Sequence, residues 1–175
     1  MIKGKNLVIR HVVHSDLPAL TTLLNDSDVR GEYLTNAIHS PIELERNLNT
    51  DGMVSDTLVR FVIVEQPGGT VIGTIWHFKA VPYFNAREIG YTLSNEYRGR
   101  GFITEAVRLL VRYLFDSTLV NRLEIRMDTR NAASEKVAIK SGFQKEGISR
   151  GANFVRGQYV DMNVYALLRG ETGSH

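Results

Sequence analysis

Hydrophobic and polar positions change period several times along this chain, and each change marks an element. Ile103, Val107, Leu110, Val111 and Leu114 recur at spacings of three and four, which predicts an amphipathic helix from about Gly101 to Ser117. Leu123–Asp128 instead alternates apolar Leu123, Ile125 and Met127 with charged Glu124, Arg126 and Asp128, the pattern of a half-buried strand. Tyr159–Leu168 alternates in the same way, and Asn6–Val12, Leu58–Glu65, Thr70–Phe78, Ala86–Ser94 and Phe143–Gly151 are further β-rich runs. Gln66-Pro67-Gly68-Gly69 is hairpin chemistry between two of them. Helix starts carry their own signals. Ser15 and Asp16 offer a cap for Leu17–Asn25, and Ser40-Pro41-Ile42-Glu43 opens a helix to about Leu48. Asn131 caps a helix that ends at Lys140-Ser141-Gly142-Phe143. Asp28–Ala37 and Ala152–Gln158 show no period and are expected to be loops.

The order is strand, two helices, three strands, a long helix, strand, helix and two strands. It predicts an α/β (α+β) domain with a mixed, largely antiparallel sheet of six to seven strands and one βαβ crossover, Ala86 to Asp128. The 175 residues, 43% hydrophobic and 23% charged, suit one globular domain over 1–170 with a short tail, 171–175, in which Gly173-Ser174-His175 resembles a tag remnant. With no cysteine, a disulfide framework, a thiolate nucleophile and a Cys-ligated metal or cluster are excluded. No apolar run reaches the ~20 residues of a membrane span and no signal-peptide core is present, so a cytoplasmic protein without membrane contact is expected. A net charge of +2, with no aromatics interleaved among Arg98, Arg100, Arg108 and Arg112, argues against direct nucleic-acid binding.

Chemistry concentrates at the turn before the long helix. Arg98-Gly99-Arg100-Gly101-Phe102-Ile103-Thr104 follows a strand and opens a helix, whose first amides lack intrahelical partners and sit at the positive end of the dipole. Flanked by two arginines and a threonine hydroxyl, that turn suits a phosphate or pyrophosphate. A dinucleotide fingerprint would need glycine where Thr104 stands, and no Gly-Lys-Ser/Thr ending marks an NTP-hydrolysing loop. Gly147-Ile148-Ser149-Arg150-Gly151 matches the nucleophile-elbow spacing but lacks the helix that must follow. His11, His14, His39 and His77 are not spaced with carboxylates as metal ligands, so no metal is expected.

Arg98-Gly99-Arg100-Gly101-Phe102-Ile103 resembles motif A of the GNAT acyltransferases, Arg/Gln-x-x-Gly-x-Gly/Ala, with Ile103 departing at the last position. Glu88-Ile89-Gly90-Tyr91, Gly101 to Val107, Asn131-Ala132-Ala133-Ser134, Gly142-Phe143 and Tyr159 to Tyr165 resemble, in order, the RimJ/RimL-type N-acetyltransferases of that superfamily. The resemblance implies a GNAT acyl-CoA N-acyltransferase fold, with helices on both faces of the sheet and central strands that splay. It also implies acetyl-CoA as co-substrate, an amine-bearing acceptor (a peptide N-terminus or a small molecule), and a monomer or homodimer. By resemblance, the amides of Arg98, Gly99, Arg100, Gly101, Phe102, Ile103 and Thr104 hold the pyrophosphate, while the backbone of Leu93 and Ser94 and the side chain of Asn131 contact the pantetheine arm. Asn131 is equally a helix cap.

Acetyl transfer needs a held thioester, a deprotonated amine and a proton for the departing thiolate. Ser134 is a candidate proton donor or an ordinary first-turn polar residue; Tyr91, Tyr113 and Tyr165 are read as core. Glu88 is a candidate base or a salt-bridged strand glutamate. Glu32, Tyr33, Trp76, Phe154 and Tyr159 are candidates for the acceptor surface, as is His77 beside Trp76, though Trp76 also reads as core. A non-catalytic acyl-CoA-binding module is the competing reading, separated from an enzyme by thiol release.

Overall fold

The computed structural model describes residues 1–35, 37–79 and 85–172. Asn36, within the expected loop, and Gly173-Ser174-His175 lie outside the described residues. Eight strands form one sheet: β1 (Ile2–Lys3), β2 (Leu7–His11), β3 (Leu58–Glu65), β4 (Val71–Phe78), β5 (Ala86–Leu93), β6 (Arg122–Asp128), β7 (Gln144–Val155) and β8 (Gln158–Leu168). They lie side by side in the order β1-β2-β3-β4-β5-β6-β8-β7, and every pairing is antiparallel except β5 with β6. The eighth strand, beyond the six or seven expected, is β1, which has only two residues and so carries no period of its own.

The helices are α1 (Leu17–Asn25), α2 (Ser27–Arg30), α3 (Pro41–Asp51), α4 (Phe102–Ser117) and α5 (Ala132–Lys140). Two apolar cores flank the sheet. One gathers the α4 residues Ala106, Val107, Leu110 and Leu114 against Ile9, Phe61, Ile63, Ile75, Ile89, Leu123 and Ile125. The other places Leu20 and Leu24 of α1 and Leu44 and Leu48 of α3 on Val62 and Val64. Successive residues of β3 therefore feed opposite cores, which explains its unbroken apolar run.

Three local expectations change. Asp16 stands at the N-cap position of α1 without capping it. Its carboxylate instead takes a bidentate pair of bonds from Arg10, at 2.6 and 2.8 Å, and one from the Val13 amide at 2.9 Å. Part of the expected loop is the single turn α2, capped by Asp26, which accepts from the amides of Asp28 and Val29. In place of the expected loop Ala152–Gln158, β7 and β8 continue to a two-residue turn, Arg156-Gly157, with both φ positive (49° and 84°), the geometry that matches strand twist.

The feature that matters for chemistry is where β5 and β6 part. Their parallel ladder joins Ala86 to Arg122, Arg87 to Leu123 and Glu88 to Glu124, and goes no further. Beyond it β5 stays bonded to β4 as far as Leu93, and β6 to β8 as far as Asp128. A wedge opens between them, with α4 starting at its β5 side and α5 at its β6 side.

Candidate active site

One wall of the wedge is strand edge. The Ser94 amide donates to Ile72 O of the β4 side at 2.9 Å, and the Ser94 carbonyl accepts from the Tyr97 amide. Because strand amides alternate sides, the N–H and C=O of Tyr91 and Leu93 point the other way, toward the gap. Leu93 thus presents its backbone to the wedge. The backbone of Ser94, expected to face the gap, is engaged within the chain, and that of Tyr91 faces the gap instead.

The turn that follows is built from two left-handed glycines, Gly99 (φ 75°) and Gly101 (φ 87°), the second being the N-cap of α4. A Cβ at either would meet no atom within 4 Å, so glycine is required here by backbone conformation rather than by protein crowding. No hydrogen bond among the described residues engages the amides of Gly99, Arg100, Gly101, Phe102, Ile103 or Thr104; the first α4 amide to find a partner is that of Glu105, on Gly101 O at 3.0 Å. Six amides without a partner at a helix N-terminus are a cluster of donors suited to an anion. The Phe102 and Ile103 side chains are buried in the core, so Ile103 fills the motif's small-residue position by turning inward. Arg100 stays exposed over the Tyr97 and Phe102 rings, 4.0 Å from Glu65. Arg98, whose amide was expected with these, is engaged instead: its amide donates to Asn95 O at 3.1 Å, and its guanidinium donates to the carbonyls of Val29 (2.7 Å) and Asp28 (3.4 Å) and ties α2 to the turn.

The opposite wall begins at Asp128. Its carboxylate is buried and bonded three times by Arg130, from the amide and two guanidinium nitrogens, which hold its pKa below the ordinary carboxylate value. That brace delivers Asn131 to the start of α5, where its Oδ1 accepts from the Ser134 amide at 3.0 Å, so the capping role is real. Ser134 Oγ lies 2.7 Å from the Tyr91 hydroxyl, a hydrogen bond spanning the wedge from β5 to α5. Tyr91 is therefore no simple core residue. Burial pushes its phenol up to about 12, against the opposing effect of the Ser134 bond, so it keeps its proton at neutral pH. Sequence reasoning passed it over because a strand tyrosine beside Ile89 and Leu93 looks apolar; its position one residue after Gly90 was the available signal. Tyr165 is core, its hydroxyl donating to Glu135 at 2.7 Å, whereas Tyr113 is exposed because it lies outside the apolar stripe of α4.

Glu88 lies on the other face of β5 at the apex of the wedge. Neighbouring Glu124 accepts from Arg122 Nε at 2.7 Å and from Arg126 Nε and Nη2 at 3.0 and 2.8 Å, so the Arg126 guanidinium is largely committed. Glu88 is left 3.7 Å from Arg126 Nε, and its carboxylate makes no hydrogen bond among the described residues. Burial dominates and raises it to about 7; Arg126 opposes the shift and Glu124 assists it. A half-compensated carboxylate poised at neutrality is what a general base requires.

Trp76 shares that face, because β4 register puts it opposite Gly90. A Cβ on Gly90 would fall 2.4 Å from the indole, so the glycine exists to let the ring lie flat on β5. Trp76 is half-buried on the Glu88 face and absent from both cores; His77, pointing oppositely, is buried beside Phe61 on the other face of the sheet. The remaining acceptor candidates divide. Tyr33 donates to Arg130 O at 3.3 Å beneath the Arg130 guanidinium, and Glu32 stands near the same arginine, so segment 31–35 crosses to the α5 side of the wedge. Phe154 and Tyr159 pack edge to face at 5.1 Å on the β7–β8 hairpin, exposed, and the adjacent Arg156 bonds Gly31 O at 2.9 Å. Among the described residues no helix is long and apolar enough to cross a membrane.

Comparison with known proteins places the chain in a family. A model described as an acetyltransferase (GNAT) domain matches residues 6–144. The chain is 30% identical over 175 residues to the probable N-acetyltransferase YjcK of Bacillus subtilis, covering 96% of this chain and 97% of that one. It is 33% identical over 98 residues to the ribosomal-protein-serine acetyltransferase of Escherichia coli, 56% and 55% of the two chains. Among solved structures, RimL, a ribosomal L7/L12 alpha-N-protein acetyltransferase in complex with coenzyme A, superposes with a TM-score of 0.83 at 23% identity over 94% of this chain and 95% of that one. The chain belongs to the GNAT acetyltransferase family.

Proposed function

We propose that this protein moves the acetyl group of acetyl-CoA to a primary amine by direct attack within a ternary complex, with Glu88 as base and the Ser134–Tyr91 pair as acid. Family membership supports acetyl-CoA as co-substrate and an amine as acceptor. The residues fit that cofactor: six unengaged amides and two left-handed glycines for the diphosphate, and the Tyr91 and Leu93 strand edge for the pantetheine amides, which would bond as an added strand. The amine, approaching from the Trp76 side, yields a proton to Glu88 and attacks the thioester carbon. Collapse of the tetrahedral adduct expels the thiolate of coenzyme A, which takes a proton from Ser134, with Tyr91 hydrogen-bonded behind it. RimL acts on a protein N-terminus, and a peptide α-amine or a small-molecule amine both meet these requirements.

The observation that carries this reading is the 2.7 Å Tyr91–Ser134 bond closing a wedge whose apex holds an under-compensated Glu88. Thiol release from acetyl-CoA, followed across a panel of peptide and small-molecule amines, tests it. Stoichiometric release with acetylated product is expected; tight coenzyme A binding with no release from any amine would leave only an acyl-CoA-binding module.

A further inference from the structure

The acceptor side carries a cation that the reaction scheme does not use. Arg60, on β3, is in register with Trp76, which is in register with Gly90, so the three lie in one row across the sheet. With strands about 4.8 Å apart, this row spans roughly 10 Å from Arg60 to Gly90, next to Glu88. The Arg60 guanidinium stacks 4.7 Å above the Trp76 ring, and its one hydrogen bond among the described residues is a long 3.4 Å contact to Thr74 Oγ1. That hydroxyl is already turned to Phe61 O at 2.8 Å.

No carboxylate among the described residues pairs with Arg60, whereas Arg10, Arg122, Arg126 and Arg130 each have one. Its electrostatic neighbours make the environment more positive. Arg30, whose own guanidinium is bonded to the carbonyls of Leu24 and Thr35, acts on Arg60, and both act on the His39 imidazole. Among the described residues, Glu43 is the one acid that reaches this group, and it does so at His39. Burial together with Arg30 pushes Arg60 down to about 10, still charged at neutral pH. A half-buried, unpaired guanidinium costs free energy unless an anion completes it, and a planar fork laid flat on an indole is preorganised for a carboxylate.

We infer that Arg60, held on Trp76 and backed by Arg30 and His39, is an anion subsite, so that the preferred acceptor is a primary amine whose own molecule carries a carboxylate. This rests on the acetyl-transfer reading and deepens it: the amine lies by Glu88 and the carboxylate on Arg60, across the face of Trp76. A free amino acid and an acidic side chain near a peptide N-terminus are the two sources of such a carboxylate, and the two are separable.

The test runs two readouts on the full chain. Thiol release is compared for ω-amino acids, from glycine to 6-aminohexanoate, against their amides, and for short peptides bearing Asp or Glu at the second position against Asn or Gln. At least tenfold higher kcat/KM for the acid of each favoured pair is expected, mostly in KM. Preference in the first series alone marks a small amino acid, and in the second a peptide. Arg60→Met should erase the preference while coenzyme A affinity stays within twofold, and Arg60→Lys should restore part of it. Trp76 is the only tryptophan in the chain, so its fluorescence should titrate with the acid, not the amide, and lose that response in Arg60→Met. Equal turnover of acids and amides, or a preference that survives Arg60→Met, overturns the subsite and leaves acetyl transfer standing. A selective fluorescence response without thiol release from any amine overturns acetyl transfer and leaves the subsite standing.

Discussion

Under the proposed function, the two sides of the wedge recognise their ligands by different means. On the cofactor side, binding is a property of the backbone: six amides, two left-handed glycines and a strand edge, with Phe102 and Ile103 turned into the core and Arg98 drawn away to α2. On the acceptor side, β3, β4 and β5 each contribute one position, Arg60, Trp76 and Gly90, and Glu88 owes its raised pKa first to burial, with Arg126 on β6 opposing and Glu124 assisting. A backbone site tolerates side-chain drift and serves one invariant cofactor, whereas a side-chain site assembled across strands can be re-specified residue by residue. Substitutions should therefore separate cleanly, changing coenzyme A binding on one side and amine handling on the other.

The largest effect is expected at Glu88. Glu88→Gln should lower kcat/KM by about 10²- to 10⁴-fold, the usual worth of a general base, with coenzyme A affinity unchanged. Because the carboxyl is raised to about 7, wild-type kcat/KM should rise with pH through neutrality and the variant should lose that limb. Stability should move oppositely. A folded-state pKa above the unfolded one gives stability that is full below the unfolded value and is lost as pH rises through about 7, so the charged form strains the fold. Raising the group from 4.5 to about 7 corresponds to a cost of about 3 kcal/mol at pH 8, and thermal denaturation should show Glu88→Gln more stable than wild type there. A variant both less active and less stable at pH 8 would deny Glu88 this role.

Next comes Gly101→Asp. The left-handed φ of 87° costs an ordinary residue about 1–2 kcal/mol, and a carboxylate at the amide cradle repels the diphosphate. Calorimetry should record coenzyme A binding about 10²-fold weaker, since 1–2 kcal/mol and a comparable repulsion combine at 1.4 kcal/mol per decade. The Trp76 fluorescence of the free protein should not change. If coenzyme A binds equally well, the backbone account of this side is wrong.

These two sites were unequally legible. The turn could be read because its information is local: glycine spacing, a strand before and a helix after, all within Arg98–Thr104. The stripe of α4 was equally plain. The acceptor floor was not, because Arg60, Trp76 and Glu88 are 28 residues apart from first to last and meet only through β3–β4–β5 register. Glu88 was named as a possible base, yet nothing in its neighbourhood announces that Glu124 takes up Arg126 first. Tyr91 packs against the core as expected, but the partner of its hydroxyl was illegible for the same reason: what it faces is decided by where the β5–β6 ladder stops, and Ala86–Ser94 read alone contains no such stop. The β1 strand and the α2 turn escaped because two and four residues cannot show a period.

A smaller effect should follow from Tyr91→Phe. The hydroxyl's bond to Ser134 at 2.7 Å is lost, worth about 1–1.5 kcal/mol for a part-buried pair, so kcat should fall about tenfold with KM for the amine nearly constant. Ser134→Ala should fall further, because Ser134 is the member assigned to the sulfur, and the double variant should be no worse than Ser134→Ala alone. Additive losses in kcat would mean the two hydroxyls act separately.

The mildest change aims at the seam between the two sides. Gly90→Ala places a Cβ 2.4 Å from Trp76 Cε2, and a rigid indole under the Arg60 guanidinium cannot yield as a flexible tip would. The ring must lift or β4 and β5 must part slightly, an overpacking cost of about 1–3 kcal/mol. Lifting the ring disturbs the acceptor face, so KM for the amine should rise a few-fold and the tryptophan emission should shift. Tyr91 and Leu93, one and three residues further along the strand, present their free backbone to its opposite edge and stay fixed by the core packing of Ile89 and Leu93. Coenzyme A affinity should therefore change less than twofold. If calorimetry instead shows both ligands weakened together, β5 transmits strain from its acceptor face to its cofactor edge, and the two sides are a single coupled site.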